Sequence, residues 1–131
     1  MVHRIRILVV DDEPDVVTLL QRTLESDGYD VLCAYDGISA LDLVDSEKPD
    51  MVLLDIMMPM MSGYEVCEQI KANPQTKHIP VLCVTSAHSE DTRKRSQQAG
   101  AQGLLVKPFM PKELVAQIER FLPKTPPGES S

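Results

Sequence analysis

The chain of 131 residues is 43% hydrophobic and 25% charged, which suits one compact domain with a single core. Its 20 acidic and 13 basic side chains give a net charge of -7, which argues against direct binding to nucleic acid or anionic lipid and favours a cation as ligand. No apolar run reaches the roughly 18 residues of a membrane span and no signal-peptide pattern opens the chain, so we expect no membrane contact and a cytoplasmic location.

Three cysteines, Cys33, Cys67 and Cys83, are widely separated along the chain and form no CxxC pair. An odd number of dispersed cysteines indicates neither a disulfide framework nor a zinc site. We therefore expect reduced thiols that pack in the core.

Five apolar stretches of strand length recur along the chain, at residues 5–10, 31–35, 51–54, 79–85 and 104–106. Segments with helical spacing of apolar residues lie between and after them. Their apolar stripes are Val16, Leu20 and Leu24 behind Pro14; Ile38, Leu41 and Val44; Val66 and Ile70; and Leu114, Ile118, Phe121 and Leu122 behind Pro111. The alternation predicts right-handed crossovers and a doubly wound α/β fold, in which helices cover both faces of a five-stranded parallel sheet.

Two segments depart from this regular pattern. Residues 90–101 have helical character but carry mostly charged and amide side chains, so this fourth helix is predicted to be weakly anchored, with residues 93–95 on a solvated face. After Leu122 the chain reads PKTPPGESS, which is rich in proline and lacks apolar content. We therefore expect a folded domain over residues 1–122 and a flexible tail or linker over residues 123–131.

Polar residues stand at the ends of four predicted strands. Asp11 and Asp12 follow the first strand, Asp55 follows the third, Thr85 closes the fourth and Lys107 follows the fifth. The carboxyl ends of parallel strands lie along one edge of a sheet, and ligands bind there. These side chains are therefore predicted to converge.

Such a set of residues suits phosphoryl transfer. Neighbouring carboxylates repel one another unless a cation holds them, and a few oxygen ligands with open positions suit Mg²⁺. Lys107 adds a positive charge and Thr85 a hydroxyl donor, which can neutralise the charge on a phosphoryl group. Asp55, in the middle, is then the candidate nucleophile.

Each of these residues also has an ordinary structural explanation. An Asp-Asp pair after a strand is most often a loop or a helix cap, and Asp55 precedes a turn that contains Pro and Gly. Lys107 before a proline can be a solvated lysine, and Thr85 can be a β-branched strand residue. Four such features at the same edge of one sheet are much harder to explain in this way.

Four motifs, in their order and spacing, resemble a known family: VVDDEP at residues 9–14, VLLDIMMPMMSG at 52–63, VTSA at 84–87 and KPF at 107–109. They are similar to the motifs of the two-component response regulator receiver domain, and the resemblance covers residues 5 to about 122. It implies a flavodoxin-like fold with strand order 2-1-3-4-5, as a single-domain regulator or as an N-terminal receiver.

The resemblance also implies roles for the acidic residues. Asp55 corresponds to the acceptor of a phosphoryl group from the phosphohistidine of a sensor histidine kinase or a histidine phosphotransfer protein, in a reaction that requires Mg²⁺. Asp11, Asp12 and Asp55 correspond to the metal ligands. Met57 corresponds to a position that binds the metal through its backbone carbonyl.

By the same resemblance, Thr85 corresponds to the hydroxyl residue that turns toward the phosphoryl group, and Lys107 to the lysine that forms a salt bridge with it. The Lys107–Pro108 peptide resembles a bond that is cis in the family, and Gly63 matches the turn glycine after the acceptor. At residue 104 the family usually carries a Tyr or Phe that swings inward on activation. Leu104 stands there in this chain, so the signal is expected to depend on backbone shifts after Thr85 rather than on a ring rotation.

Two functions remain as hypotheses. The first is a phosphorylation-controlled signalling switch, without rapid turnover, that acts on an unidentified output domain or target and can form a phosphorylation-dependent dimer. The alternative is an aspartyl-nucleophile phosphatase resembling the haloacid dehalogenases, which place a general acid two residues after the nucleophile. Met57 occupies that position and cannot transfer protons, which disfavours the phosphatase.

Overall fold

The computed structural model describes residues 4–87 and 89–122. Strands and helices alternate along it: β1 (Arg6–Val10), α1 (Pro14–Ser26), β2 (Asp30–Ala34), α2 (Gly37–Glu47), β3 (Met51–Asp55), α3 (Gly63–Ala72), β4 (Val81–Thr85), α4 (Glu90–Ala99), β5 (Gly103–Val106) and α5 (Pro111–Phe121). The strands form one parallel sheet in the order β2-β1-β3-β4-β5. The predicted doubly wound α/β fold and its strand order are confirmed.

Two apolar layers cover the two faces of the sheet. Successive side chains of a strand point to opposite faces, so Leu8 and Val52 pack with α2, α3 and α4, whereas Ile7 and Leu53 pack with α1 and α5. Strands β3 and β4 are buried along their whole length. Burial on both faces explains why these strands have continuous rather than alternating apolar sequences.

The fourth strand begins later than its apolar sequence suggests. The backbone N–H of Ile79 donates to the carbonyl of Thr76 in a turn (3.0 Å), and Pro80 has no N–H to give to the sheet. The regular pairing of β4 therefore begins at Val81.

Two predicted helical stripes differ from the faces that are buried. In α1 the buried residue of the first turn is Val17, and Val16 is only partly buried. In α2 the prediction for Ile38 is wrong: this side chain is 65% exposed, while Ala40 and Val44 are buried. Ile38 lies about 100° around the helix from Gly37, outside the face that Gly37, Ala40 and Val44 bury.

Helix α4 has a buried face of small residues. Every residue of this helix is described, and the buried ones are Thr92, Ser96 and Ala99. The helix ends at Gly100, whose φ of 99° lies in the left-handed region that glycine adopts without strain. This burial agrees with the weak apolar anchoring that the sequence predicts.

The three cysteines carry free thiols, of which Cys67 and Cys83 are buried and Cys33 is partly buried. Residues 123–131 lie outside the described residues, so the flexible tail and the domain limit at residue 122 stay predictions. Among the described helices, none has both the length and the apolar character needed to cross a membrane.

Candidate functional site

The backbone ladder of the sheet extends past the strands and positions the residues at its carboxyl edge. The N–H of Asp11 donates to Ala34 (3.2 Å), and the N–H of Lys107 donates to Thr85 (2.7 Å). Asp55 is itself the last residue of β3 and pairs with Val84. The loops that carry the polar side chains are therefore held by the sheet where they leave it.

Three carboxylates meet at this edge, as the sequence predicts. Asp11, Asp12 and Asp55 each place a carboxylate oxygen within 4.8 Å of the others. Asp11 and Asp55 are buried, whereas Asp12 is exposed. Backbone amides orient the two buried groups, because Glu13 N–H donates to Asp11 Oδ1 (2.9 Å) and Met57 N–H to Asp55 Oδ1 (3.3 Å).

Lys107 extends into the cluster from β5. Its Nζ lies 3.0 Å from Asp11 Oδ2 and 4.0 Å from Asp55 Oδ1. Partial burial lowers the pKa of Lys107, but its hydrogen bond to Asp11 and the charge of Asp55 outweigh that effect and raise the pKa above its ordinary value. The ammonium group is therefore charged at neutral pH and pairs first with Asp11.

The environment of Asp55 opposes its ionisation. Burial is the main cause, and the charge of Asp11 adds to it, while Lys107 and the Met57 N–H act in the opposite direction. The net effect of these groups is a pKa of Asp55 raised to about 6. Three carboxylates facing one ammonium group leave an excess of negative charge, and this oxygen donor set fits a small divalent cation.

Thr85 is fully buried at the end of β4. Its Oγ1 accepts a hydrogen bond from the backbone N–H of Ala87 at 3.0 Å. The side chain thus stabilises the first turn of the loop after β4. The expected donation from this hydroxyl to a phosphoryl group stays a prediction.

The loop between β3 and α3 closes tightly behind Asp55. Gly63 N–H donates to the carbonyl of Ile56 (3.0 Å), and a Cβ on Gly63 would lie 2.4 Å from the carbonyl oxygen of Asp55. Only glycine allows α3 to begin this close to Asp55. Within the loop, Met57 points outward with 65% of its side chain exposed, and Met60 has a φ of 70°.

Sequence analysis missed two donors of the site, the backbone N–H groups of Glu13 and Met57, because every residue except proline carries such a group. The expected cis peptide between Lys107 and Pro108 is present. Leu104 is partly buried and packs against the apolar layer that includes α4.

Comparison with known proteins gives the family. Residues 7–119 match the response regulator receiver domain. The chain is 43% identical over 117 residues to the alkaline phosphatase synthesis transcriptional regulatory protein PhoP of Bacillus subtilis (strain 168), a match that covers 89% of this chain and 48% of that protein. It is 40% identical over 127 residues to the response regulator MprA of Mycobacterium tuberculosis (strain ATCC 25618 / H37Rv), covering 97% of this chain and 54% of MprA. The chain spans about half the length of these curated relatives.

Solved structures agree with this match. The chemotaxis protein CheY4 of Vibrio cholerae superposes with a TM-score of 0.88 at 32% sequence identity, over 92% of this chain and 100% of that one. The signal receiver domain of a signal transduction histidine kinase from Syntrophus aciditrophicus gives a TM-score of 0.86 at 30% identity, over 96% of both chains. These similarities support the signalling hypothesis and not the phosphatase alternative. The chain belongs to the receiver domain family of two-component response regulators.

Proposed function

We propose that Asp55 accepts a phosphoryl group from the phosphohistidine of a sensor histidine kinase or a histidine phosphotransfer protein, and that this modification controls the binding of a downstream partner. The observation that carries the proposal is the meeting of three carboxylates within 4.8 Å beside the Lys107 ammonium group. These charges are the ones that a phosphoryl group and a divalent cation neutralise together.

Asp55 suits the acceptor role better than its two acidic neighbours. Asp11 already accepts hydrogen bonds from Lys107 and from the Glu13 N–H, and Asp12 is exposed to water. Asp55 is only 5% exposed, and its pKa of about 6 makes the carboxylate more basic than usual while leaving it mostly ionised at neutral pH. A basic, ionised carboxylate is the better nucleophile.

In the transfer, a carboxylate oxygen of Asp55 forms a bond to phosphorus while the phosphorus–nitrogen bond of the donor breaks, and the released imidazole takes up a proton. Lys107 lies near enough to exchange part of its pairing with Asp11 for a phosphoryl oxygen. The Thr85 hydroxyl oxygen accepts the Ala87 N–H, which leaves its own proton to be donated.

The donor set fits Mg²⁺. Asp11, Asp12 and Asp55, with the carbonyl of Met57, would hold the ion, and water would complete its octahedron. When bound, the ion neutralises the carboxylates and the phosphoryl oxygens that approach them. Asp12 is the best position to test this assignment, because it is exposed and its replacement leaves the buried pair intact.

The domain then acts as a signalling switch with slow turnover rather than as an enzyme. Met57 stands two residues after Asp55, where a hydrolase of the haloacid dehalogenase type carries its general acid. Family membership supports a histidine kinase as partner and the cytoplasm as location. The switch then acts on an output domain or a target protein, in line with relatives that are about twice as long as this chain. Phosphorylation-dependent dimerisation is a further part of the proposal.

The acceptor is tested by incubating the purified chain with acetyl phosphate and Mg²⁺ and measuring its intact mass. We expect one added phosphoryl group, which peptide mapping assigns to Asp55 and which chelation of Mg²⁺ prevents. Asp55→Asn should stay unmodified, whereas the matched variant Asp45→Asn, at an exposed position of α2, should be modified like the parent. Equal modification of the parent and of Asp55→Asn would refute the assignment.

A further inference from the structure

We propose that Arg95 of α4 and Tyr64 of α3 form the contact that sets the resting position of α4, so that this helix is held from its α3 side and not from its β5 side. The guanidinium carbon of Arg95 lies 4.2 Å from the centre of the Tyr64 ring. A cation placed over an aromatic face at this distance is attracted by the ring quadrupole.

The buried face of α4 contributes little to its attachment. Its three buried residues, Thr92, Ser96 and Ala99, are small, so they remove little apolar surface from water. The two hydroxyls bond near their own helix: Ser96 Oγ donates to the Thr92 carbonyl (2.9 Å), and Thr92 Oγ1 lies 2.9 Å from Ser89 Oγ. Ser96 also interacts with the Cys83 thiol of β4, but a thiol is a weak hydrogen-bonding partner and adds little to the attachment of α4.

On the β5 side, the packing is incomplete. A partly open cavity of about 90 Å³ lies between part of α4 and β5, and its lining includes Arg93, Ser96, Gly103 and Leu104. Side chains that border such a cavity make fewer contacts on that side. Leu104 is only partly buried and leaves this space open, so residue 104 is a weak support for α4.

On the α3 side, α4 makes three contacts that follow one face of α3. We call these contacts the α3–α4 seam; its pairs are Tyr64 with Arg95, Cys67 with Ala99, and Lys71 with Gly100. The thiol of Cys67 donates to the Ala99 carbonyl at 3.4 Å, a weak hydrogen bond. The Lys71 side chain lies against Gly100, where a Cβ would come within 2.7 Å of Lys71 Cγ.

Within the seam, the Tyr64–Arg95 pair is the contact that can open without disturbing the core. Arg95 is exposed and Tyr64 is partly buried, whereas Cys67 is fully buried. Tyr64 also directly follows Gly63, whose backbone lies against the carbonyl of Asp55. The pair therefore joins the acceptor residue to α4 through the start of α3, without any need for an aromatic ring at residue 104.

A contact that belongs to the resting state opposes any rearranged state. If α4 moves on phosphorylation, which rests on the proposed function, loss of the Tyr64–Arg95 contact should favour the moved state by the same factor by which it loosens the resting helix. For a partly exposed cation–π pair this factor is roughly two- to five-fold.

The contact itself is tested on the unphosphorylated chain by hydrogen exchange of the α4 amides. We expect Arg95→Gln and Tyr64→Leu each to speed this exchange roughly two- to five-fold, and the double variant to add little to either single one. Tyr64→Phe keeps the ring face and should behave like the parent. Lys94→Gln, at an exposed position on the same helix and outside the cavity lining, controls for the loss of one charge.

The proposal is overturned if Lys94→Gln has the effect of Arg95→Gln, if the two single effects add, or if Tyr64→Phe loosens α4 as much as Tyr64→Leu. Because Tyr64 packs against the core, Tyr64→Leu also lowers global stability, and the comparison of Arg95→Gln with Lys94→Gln then decides the matter.

A titration with beryllofluoride and Mg²⁺ tests the link to phosphorylation. We expect Arg95→Gln to bind beryllofluoride roughly two to five times more tightly than the parent, and Lys94→Gln to bind it like the parent. Unchanged affinity in a variant whose α4 is looser would overturn the assignment of the contact to the resting state. If even the parent does not bind, the proposed function fails, and the exchange measurement still decides whether the contact holds α4.

Discussion

Helices α4 and α5 flank the same edge strand, β5, but attach to the molecule in different ways. Helix α5 buries Leu114 and Ile118 in the apolar layer that it shares with α1. Full burial of such a side chain is worth about 1.5–3 kcal/mol. Helix α4 buries small residues and relies on its seam with α3. The difference teaches that two helices beside the same edge strand can be anchored with very different strength.

The acidic site contributes a second contrast, between the start of α3 and α4. The start of α3 lies directly against the backbone of Asp55 and Ile56, since a Cβ on Gly63 would collide with it. Helix α4 rests against α3 and next to a cavity. Under the proposed function, we expect a change at Asp55 to pass through the tightly packed start of α3 to the weakly anchored α4.

The largest expected effect comes from shortening a buried side chain in each helix. Ile118→Ala should lower the free energy of unfolding by about 2–5 kcal/mol, because it leaves a cavity in the α1–α5 layer. Ser96→Ala removes one small hydroxyl, which bonds to the Thr92 carbonyl and interacts with the Cys83 thiol, and should lower this free energy by no more than about 1.5 kcal/mol. Urea denaturation measures both, and equal losses would remove the contrast between the two helices.

The rigidity of the start of α3 is tested by Gly63→Ala. The added Cβ meets the backbone of Asp55 and Ile56, so we expect a loss of about 1–3 kcal/mol in unfolding free energy and slower modification by acetyl phosphate. Glu68→Ala, at an exposed position of the same helix, is the matched control and should leave both quantities nearly unchanged. A Gly63→Ala variant with normal stability would mean that α3 adapts easily.

Asp55→Asn should stabilise the chain in the absence of Mg²⁺. Burial raises the pKa of Asp55 to about 6 in the folded state, above its value in the unfolded chain, so its ionisation opposes folding. The free energy of unfolding of the parent should therefore fall as the pH rises from about 4 to about 6, and that of Asp55→Asn should not. At pH 7 the variant should be more stable than the parent by up to about 3 kcal/mol.

Hydrogen exchange of Asp55→Asn sharpens the same comparison. In the variant, amides of α5 that exchange through global unfolding should slow by the full factor that the gain in global stability predicts. Amides of α4 that exchange through local opening should slow less. Urea denaturation at pH 4 and at pH 7 gives the difference in unfolding free energy between Asp55→Asn and the parent. An equal difference at both pH values would show that the charge of Asp55 is not its cause.

The smallest expected effect comes from filling the cavity beside α4. Leu104→Phe adds apolar volume there and should stabilise the fold by about 0.5–1 kcal/mol while slowing hydrogen exchange in α4. Exchange in α5 should stay as in the parent. Faster exchange in α4 would show instead that the ring does not fit and that the present packing on β5 is already the best available.

The sequence by itself determined the class of fold and the residues of the acidic site. Apolar spacing reports local conformation, and the alternation of strand and helix requires a parallel sheet. In such a sheet all strands end at one edge, which predicted Asp11, Asp55 and Lys107 on the same side of the molecule. The four motifs added the strand order, through their resemblance to receiver domains.

Only the tertiary structure decided how these neighbours pair. Lys107 lies closer to Asp11 than to Asp55, and Arg95, predicted on a solvated face, stacks on Tyr64. Ile38 is exposed because it lies outside the helix face that packs on the sheet. Each outcome depends on distances between separate elements, where a shift of about 1 Å makes or breaks a hydrogen bond or an ion pair. Local sequence patterns specify the elements but not these distances, which follow from how the helices pack on the sheet.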